Sequence, residues 1–156
     1  MRKSIISKHS PASDLSFLDL EHLVQVEFSS ENLEHPVESA LLLTADSGAG
    51  WQAASPGEQT IRIVFDQART IEHIVLIFDE QQQARSQEFV LLWLRDNDTV
   101  YREILRQQFN FSPPHTTQEI EHYELKLNQL KGLELRIIPS IGGGEAYATL
   151  KQLRLA

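Results

Sequence analysis

The chain has 156 residues, a formal net charge of −8 and no cysteine. That length suits one domain with a core able to fold without cross-links. The missing cysteines exclude a disulfide framework, a thiolate nucleophile and Cys-ligated zinc, and they fit a reducing compartment, so a cytoplasmic location is expected. Arg2, Lys3 and Lys8 all lie in the first ten residues, so the rest carries half as many basic as acidic side chains. Such a body repels phosphate backbones, which argues against nucleic acid as a partner.

Residues 1–13 read as a flexible arm, charged and Ser-rich, with no apolar run of the kind a secretory signal needs. The longest apolar runs fall well short of a bilayer-spanning helix, so no membrane association is expected. Residues 14–156 read as the folded domain. Phe17 and Leu20 lead in, and Val24-Gln25-Val26-Glu27-Phe28 alternates apolar and polar as a half-buried strand does. After Pro36, the spacing of Val37, Ala40 and Leu41 predicts about two helical turns over Val37–Leu43. Asp46-Ser47-Gly48-Ala49-Gly50 and Ser55-Pro56-Gly57 are loop chemistry on either side of a lone Trp51.

Two strands are expected next, Ile61–Phe65 and Ile71–Phe78, the second β-branched and continuous enough to be covered on both faces. A polar loop over Asp79–Arg85 leads to an apolar strand, Phe89–Leu94, stopped by Asp96-Asn97-Asp98. Extended structure resumes over Val100–Gln107. Phe109–His115 is expected as a loop because Pro113-Pro114 suits neither a helix nor a central strand. Glu119–Leu130 supports two readings. Ile120, Tyr123, Leu127 and Leu130 keep helical spacing, whereas Tyr123, Leu125 and Leu127 alternate as a strand. Leu133–Ile138 is a strand, Gly142-Gly143-Gly144 a loop, and Ala146–Leu155 a closing strand. About eight short strands with loop chemistry between them indicate an all-β, antiparallel jelly-roll β-sandwich.

Val26-x-x-Ser29-Ser30-Glu31, His35-Pro36-x-Glu38, Leu41, Trp51, Gly57-Glu58, Ile61 and the Ile71/Ile74 strand together resemble the galactose-binding-like (discoidin, factor 5/8 C-type) β-sandwich. Over Val26–Ile77 the chain is most similar to the amino-terminal domain of the X-ray-repair cross-complementing scaffold proteins of single-strand-break repair. The resemblance favours a strand for 119–130 and implies a binding module without catalytic activity. Members of the superfamily bind sugars, lipid headgroups or proteins through loops at one end of the sandwich. The repair-scaffold domain binds a polymerase and gapped DNA.

An intracellular protein-interaction domain is the reading this favours, with carbohydrate recognition by end-loop aromatics as the alternative. Many sugar-binding members hold a structural calcium through an acidic residue before the Trp and a Glu in the last strand. Asp46 matches the first, but Gln152 stands at the second, so neither a metal nor another cofactor is expected.

Five side chains are candidate ligand contacts. Trp51 offers a stacking face, although a lone Trp ahead of a core strand is commonly a packing residue. Phe109 and Phe111 could form a binding tip or close the end of the core. Arg85 and Arg154 could clamp a carboxylate or sugar hydroxyls, or be ordinary solvated arginines. No catalytic residue is proposed: G-x-S-x-G, H-E-x-x-H and P-loop patterns are all missing. Within Glu121-His122-x-Glu124, Glu121 and His122 fall on opposite faces of a strand, so this segment alone makes no metal site.

Overall fold

The architecture is that of a computed structural model, which describes residues 1–3, 15–44, 48 and 50–156. Most of the predicted arm therefore lies outside the described residues, as does Asp46. Among the described residues eight strands and one helical turn follow in order: β1 (Val24–Phe28), α1 (Glu38–Leu41), β2 (Trp51–Gln52), β3 (Gln59–Asp79), β4 (Arg85–Arg95), β5 (Arg102–Phe111), β6 (Gln118–Ile138), β7 (Thr149–Leu150) and β8 (Gln152–Leu155). All pairings are antiparallel.

Two strands are much longer than the sequence pattern suggests. Ile61–Phe65 and Ile71–Phe78 are the two halves of one strand, β3, and Gln118–Ile138 is likewise continuous as β6. Their mutual register shifts between Val64 and His73. At these bulges the pair bends and passes from one layer of the sandwich to the other. The first half of β3 pairs with β1 and with the end of β6, which continues to β4 and β5. The second half pairs with the start of β6 and with β8. Ring contacts show that these halves face each other: Phe78 stacks on Phe89 of β4 at 5.3 Å, and Tyr123 meets Phe89 edge-on at 6.4 Å.

Period-two alternation fills the space between the layers. Ile61, Ile63 and Phe65, then Ile74, Leu76 and Phe78, point inward and are buried, with Leu133, Leu135 and Ile137 against them. Every such side chain removes roughly 1.5–3 kcal/mol worth of apolar surface from water. The strand reading of 119–130 is the one the fold adopts, because Tyr123 and Leu127 face Ile74 and Ile71 across the β3–β6 ladder.

Three local expectations change. The helix is a single turn, since Leu42 leaves it with φ −86° and ψ 135°. Phe109–Phe111 is not loop but the end of β5, paired with Arg85–Gln87, and only after Phe111 does a turn containing the cis Pro113–Pro114 bond begin. The closing segment is two short strands rather than one, parted at Lys151, whose N–H donates to the Ile77 carbonyl at 2.8 Å.

Candidate functional site

At one end of the sandwich the β3–β4 loop, the loop ahead of β7 and the end of β2 surround a cleft of about 310 Å³. Its walls are Gln52, Asp79, Glu80, Gln81, Gln82, Gln83, Tyr147 and Thr149. All but Tyr147 are amide, carboxylate or hydroxyl side chains: the amides and the hydroxyl donate and accept hydrogen bonds, and the carboxylates accept them. Tyr147 is the large aromatic among them and stays 42% exposed.

The backbone that presents this ring is fixed on both sides. Gly57 N–H donates to the Ala146 carbonyl at 3.1 Å and Ala53 N–H to the Ala148 carbonyl at 3.0 Å. Ala146 and Ala148 are buried, so strand-like alternation turns Tyr147 outward. Asp79 is oriented by Lys151 Nζ at 3.2 Å and by Gln118 Nε2 at 3.5 Å. Glu80 accepts from the backbone N–H groups of Gln82 and Gln83 and from Arg85 Nε at 2.6 Å. Burial opposes its charge, but these donors and the arginine charge outweigh it and hold the carboxyl below its usual pKa.

The structure relocates the five candidate contacts. Trp51 is fully buried, packed in the core with Nε1–H donating to the Ser30 carbonyl at 3.0 Å, so it offers no face to a ligand. Arg154 is buried too. Its Nη1 donates to the Ala40 carbonyl at 2.9 Å, satisfying the free end of α1 and fastening it to β8. Arg85, Phe109 and Phe111 do come together, with the guanidinium 4.7 Å above the Phe111 ring and the two Phe rings 4.9 Å apart. They face inward, however. Phe111 is buried, and Phe109 is half-buried against the core.

Arg85 is held by Glu80, by Gln87 Oε1 at 2.9 Å and by the Pro139 carbonyl at 2.8 Å. It ties the β3–β4 loop, and with it Glu80 of the cleft, to the loop after β6. Tyr147 is a wall residue outside the five candidate contacts. The available signal was a lone aromatic between two small residues, just after the Gly142–Gly144 loop.

Of the two acidic positions that the resemblance implies for a calcium ion, Asp46 lies outside the described residues. The other is Gln152, which stands in β8 opposite Ile77 and offers a neutral amide. Among the described residues, one group of three possible metal ligands converges elsewhere, on the outer face of the second layer: His73, His122 and Glu124.

No protein-family model matches the sequence, and no curated protein matches it. Solved structures do. CBM32-3 from a family 31 glycoside hydrolase of Clostridium perfringens superposes with a TM-score of 0.63, covering 94% of this chain and 98% of that one at 16% identity. The CBM32 of AlyQ, in complex with 4,5-unsaturated mannuronic acid, gives 0.63 over 91% and 98% at 13% identity. Reduced XRCC1, bound to the DNA pol beta catalytic domain, gives 0.61 over 90% and 98% at 14% identity. The chain has the galactose-binding-like β-sandwich fold. The carbohydrate-binding modules and XRCC1 share this scaffold at identities where likeness speaks for fold, and what the scaffold does is decided by its site.

Proposed function

We propose that the protein is a non-catalytic binding module that takes a saccharide in the end cleft beside Tyr147. The observation that carries this reading is the pairing of one exposed, backbone-fixed aromatic ring with a wall of amides and carboxylates. A sugar ring has an apolar face and a rim of hydroxyls, and it needs both kinds of surface at once. Tyr147 supplies the stacking face; Gln52, Asp79 and the Gln81–Gln83 amides supply partners for hydroxyls. The prevalence of carbohydrate-binding modules among structures of the same fold supports the reading.

The test is a thermal-shift screen against mono- and oligosaccharides, followed by Tyr147→Ala. A binding saccharide raises apparent stability, and the variant should lose that shift, weakening affinity about tenfold or more, while its own melting temperature stays at the parent value. A saccharide shift that survives the substitution would place the site elsewhere. A flat screen would sink the reading.

A second reading, a protein-interaction domain, rests on a different surface. Among the described residues β1 is paired on one side only, and its half-buried Val24 and Val26, with the exposed Phe28, border a groove of about 410 Å³ with Leu20, Val37 and Leu41. An extended apolar segment of a partner, with basic residues meeting the rim carboxylates Glu21 and Glu38, suits such an edge. Phe28→Glu should then abolish partner-dependent protection of β1 amides from hydrogen exchange. Protection unchanged by the substitution would remove the groove from consideration.

A further inference from the structure

The outer face of the second layer carries a convergence that neither surface above uses. His73 of β3 pairs directly with Glu124 of β6, and His122 lies two residues before Glu124. Alternation along β6 puts His122 and Glu124 on one face, and the cross-strand pairing adds His73 to it. Nδ1 of His73 and Nε2 of His122 are 3.0 Å apart. With a carboxylate oxygen of Glu124, all three donor atoms fall within 4.8 Å of one another.

We propose that His73, His122 and Glu124 form a binding site for a divalent transition-metal ion, zinc being the representative case. Two nitrogens bound to one zinc at about 2.0–2.1 Å in tetrahedral geometry stand about 3.4 Å apart, so the pair needs to open by only a few tenths of an ångström. Two imidazoles with one carboxylate suit zinc, copper or nickel, whereas calcium and magnesium take oxygen donors.

The backbone holds His73 from both edges, a condition for a site with little reorganisation. On one side it faces Glu124 of β6. On the other, the N–H groups of Glu72 and His73 donate to the main-chain oxygen of Ala156 at 2.8 and 2.9 Å, and Ala156 N–H returns a bond to the His73 carbonyl at 3.0 Å. The imidazoles are half-buried and Glu124 is exposed, so the open side leaves room for water or for a donor from another molecule. Glu72 and Lys126 line a shallow hollow together with His73 and Glu124, contributing one further carboxylate and one opposing cation. A direct imidazole–imidazole hydrogen bond would account for the 3.0 Å separation without an ion, but it gives the converging carboxylate no role.

The experiment is a zinc chloride titration of the full, tag-free chain in a non-coordinating buffer. It is read by calorimetry and by the nitrogen resonances of the histidine rings. One zinc per chain is expected, with the His73 and His122 rings shifting together and the other four staying in place. His122→Gln and Glu124→Gln should each weaken binding about tenfold or more, with unchanged circular dichroism. Absence of zinc uptake would overturn the proposal, as would uptake that leaves the His73 and His122 resonances unmoved. Uptake indifferent to both substitutions would assign the metal to scattered surface carboxylates and also overturn it.

Discussion

Glu119 shows how a single position escapes a pattern reading. It stands on β6 opposite Phe78, on the inner face, and its Oε1 accepts from Gln87 Nε2 of the opposite layer at 3.2 Å. Burial first, then the neighbouring Glu121 carboxylate, pushes its pKa from 4.5 up to about 8. The folded chain therefore holds a proton that the unfolded chain gives up at lower pH. The stability this proton contributes is complete below the unfolded value of 4.5 and is lost as pH rises through about 8. Across that window the slope should approach about 1.4 kcal/mol per pH unit. Urea unfolding followed from about pH 5 to about pH 9 should show the midpoint falling, and Glu119→Gln should flatten the fall. The same slope in the variant would show that another group carries the proton. Trp51, Phe111, Arg85 and Arg154 teach the companion lesson: their residue types suit a ligand site, but burial depends on what packs over them.

At the scale of elements, alternation identified most strands, and the breaks in alternation were harder to interpret. The stretch between Phe65 and Ile71 reads as a connection because its side chains turn polar. In the fold it is the bulged bend of one long strand, with Arg69 still paired to Leu130. A bend and a loop leave similar polar residues in a sequence, because both bring backbone to the surface. The short β2–β7 pair depends on Gly50. This residue has φ +77°, and a Cβ there would run into the Leu150 carbonyl oxygen and Lys151 backbone. Gly50→Ala should cost about 2 kcal/mol or more by prising β2 from β7. At Gly57, also at positive φ but with open space around it, the same change should cost about 1 kcal/mol. Denaturant unfolding of the two variants side by side checks this, and equal losses would show that backbone strain alone, without the clash, sets the cost.

Over the whole molecule, the excess negative charge is compounded by how the cations are placed. Arg62 and Arg136 both pair with the buried Glu134, Arg106 with Glu88 and Glu103, Arg85 with Glu80 and Lys151 with Asp79. These arginines and this lysine are engaged with carboxylates of the same domain, which leaves them poorly placed to neutralise phosphates. The net charge of −8 and the internal pairing act in the same direction.

The amino-acid sequence by itself determined the all-β class, the antiparallel sandwich and the positions of most strands. Those follow from local alternation and from glycine and proline placement, which each short segment carries on its own. Strand or helix for 119–130 was left open by spacing and was decided by the ladder with β3. The two proposed sites rest on tertiary structure alone, because they join residues far apart in the chain. The Tyr147 cleft needs the β3–β4 loop beside the loop ahead of β7. His73 meets His122 and Glu124 through a strand register that no local pattern records. Contact across strands depends on which partners pair and in what register, and that is settled by burial of the whole core at once.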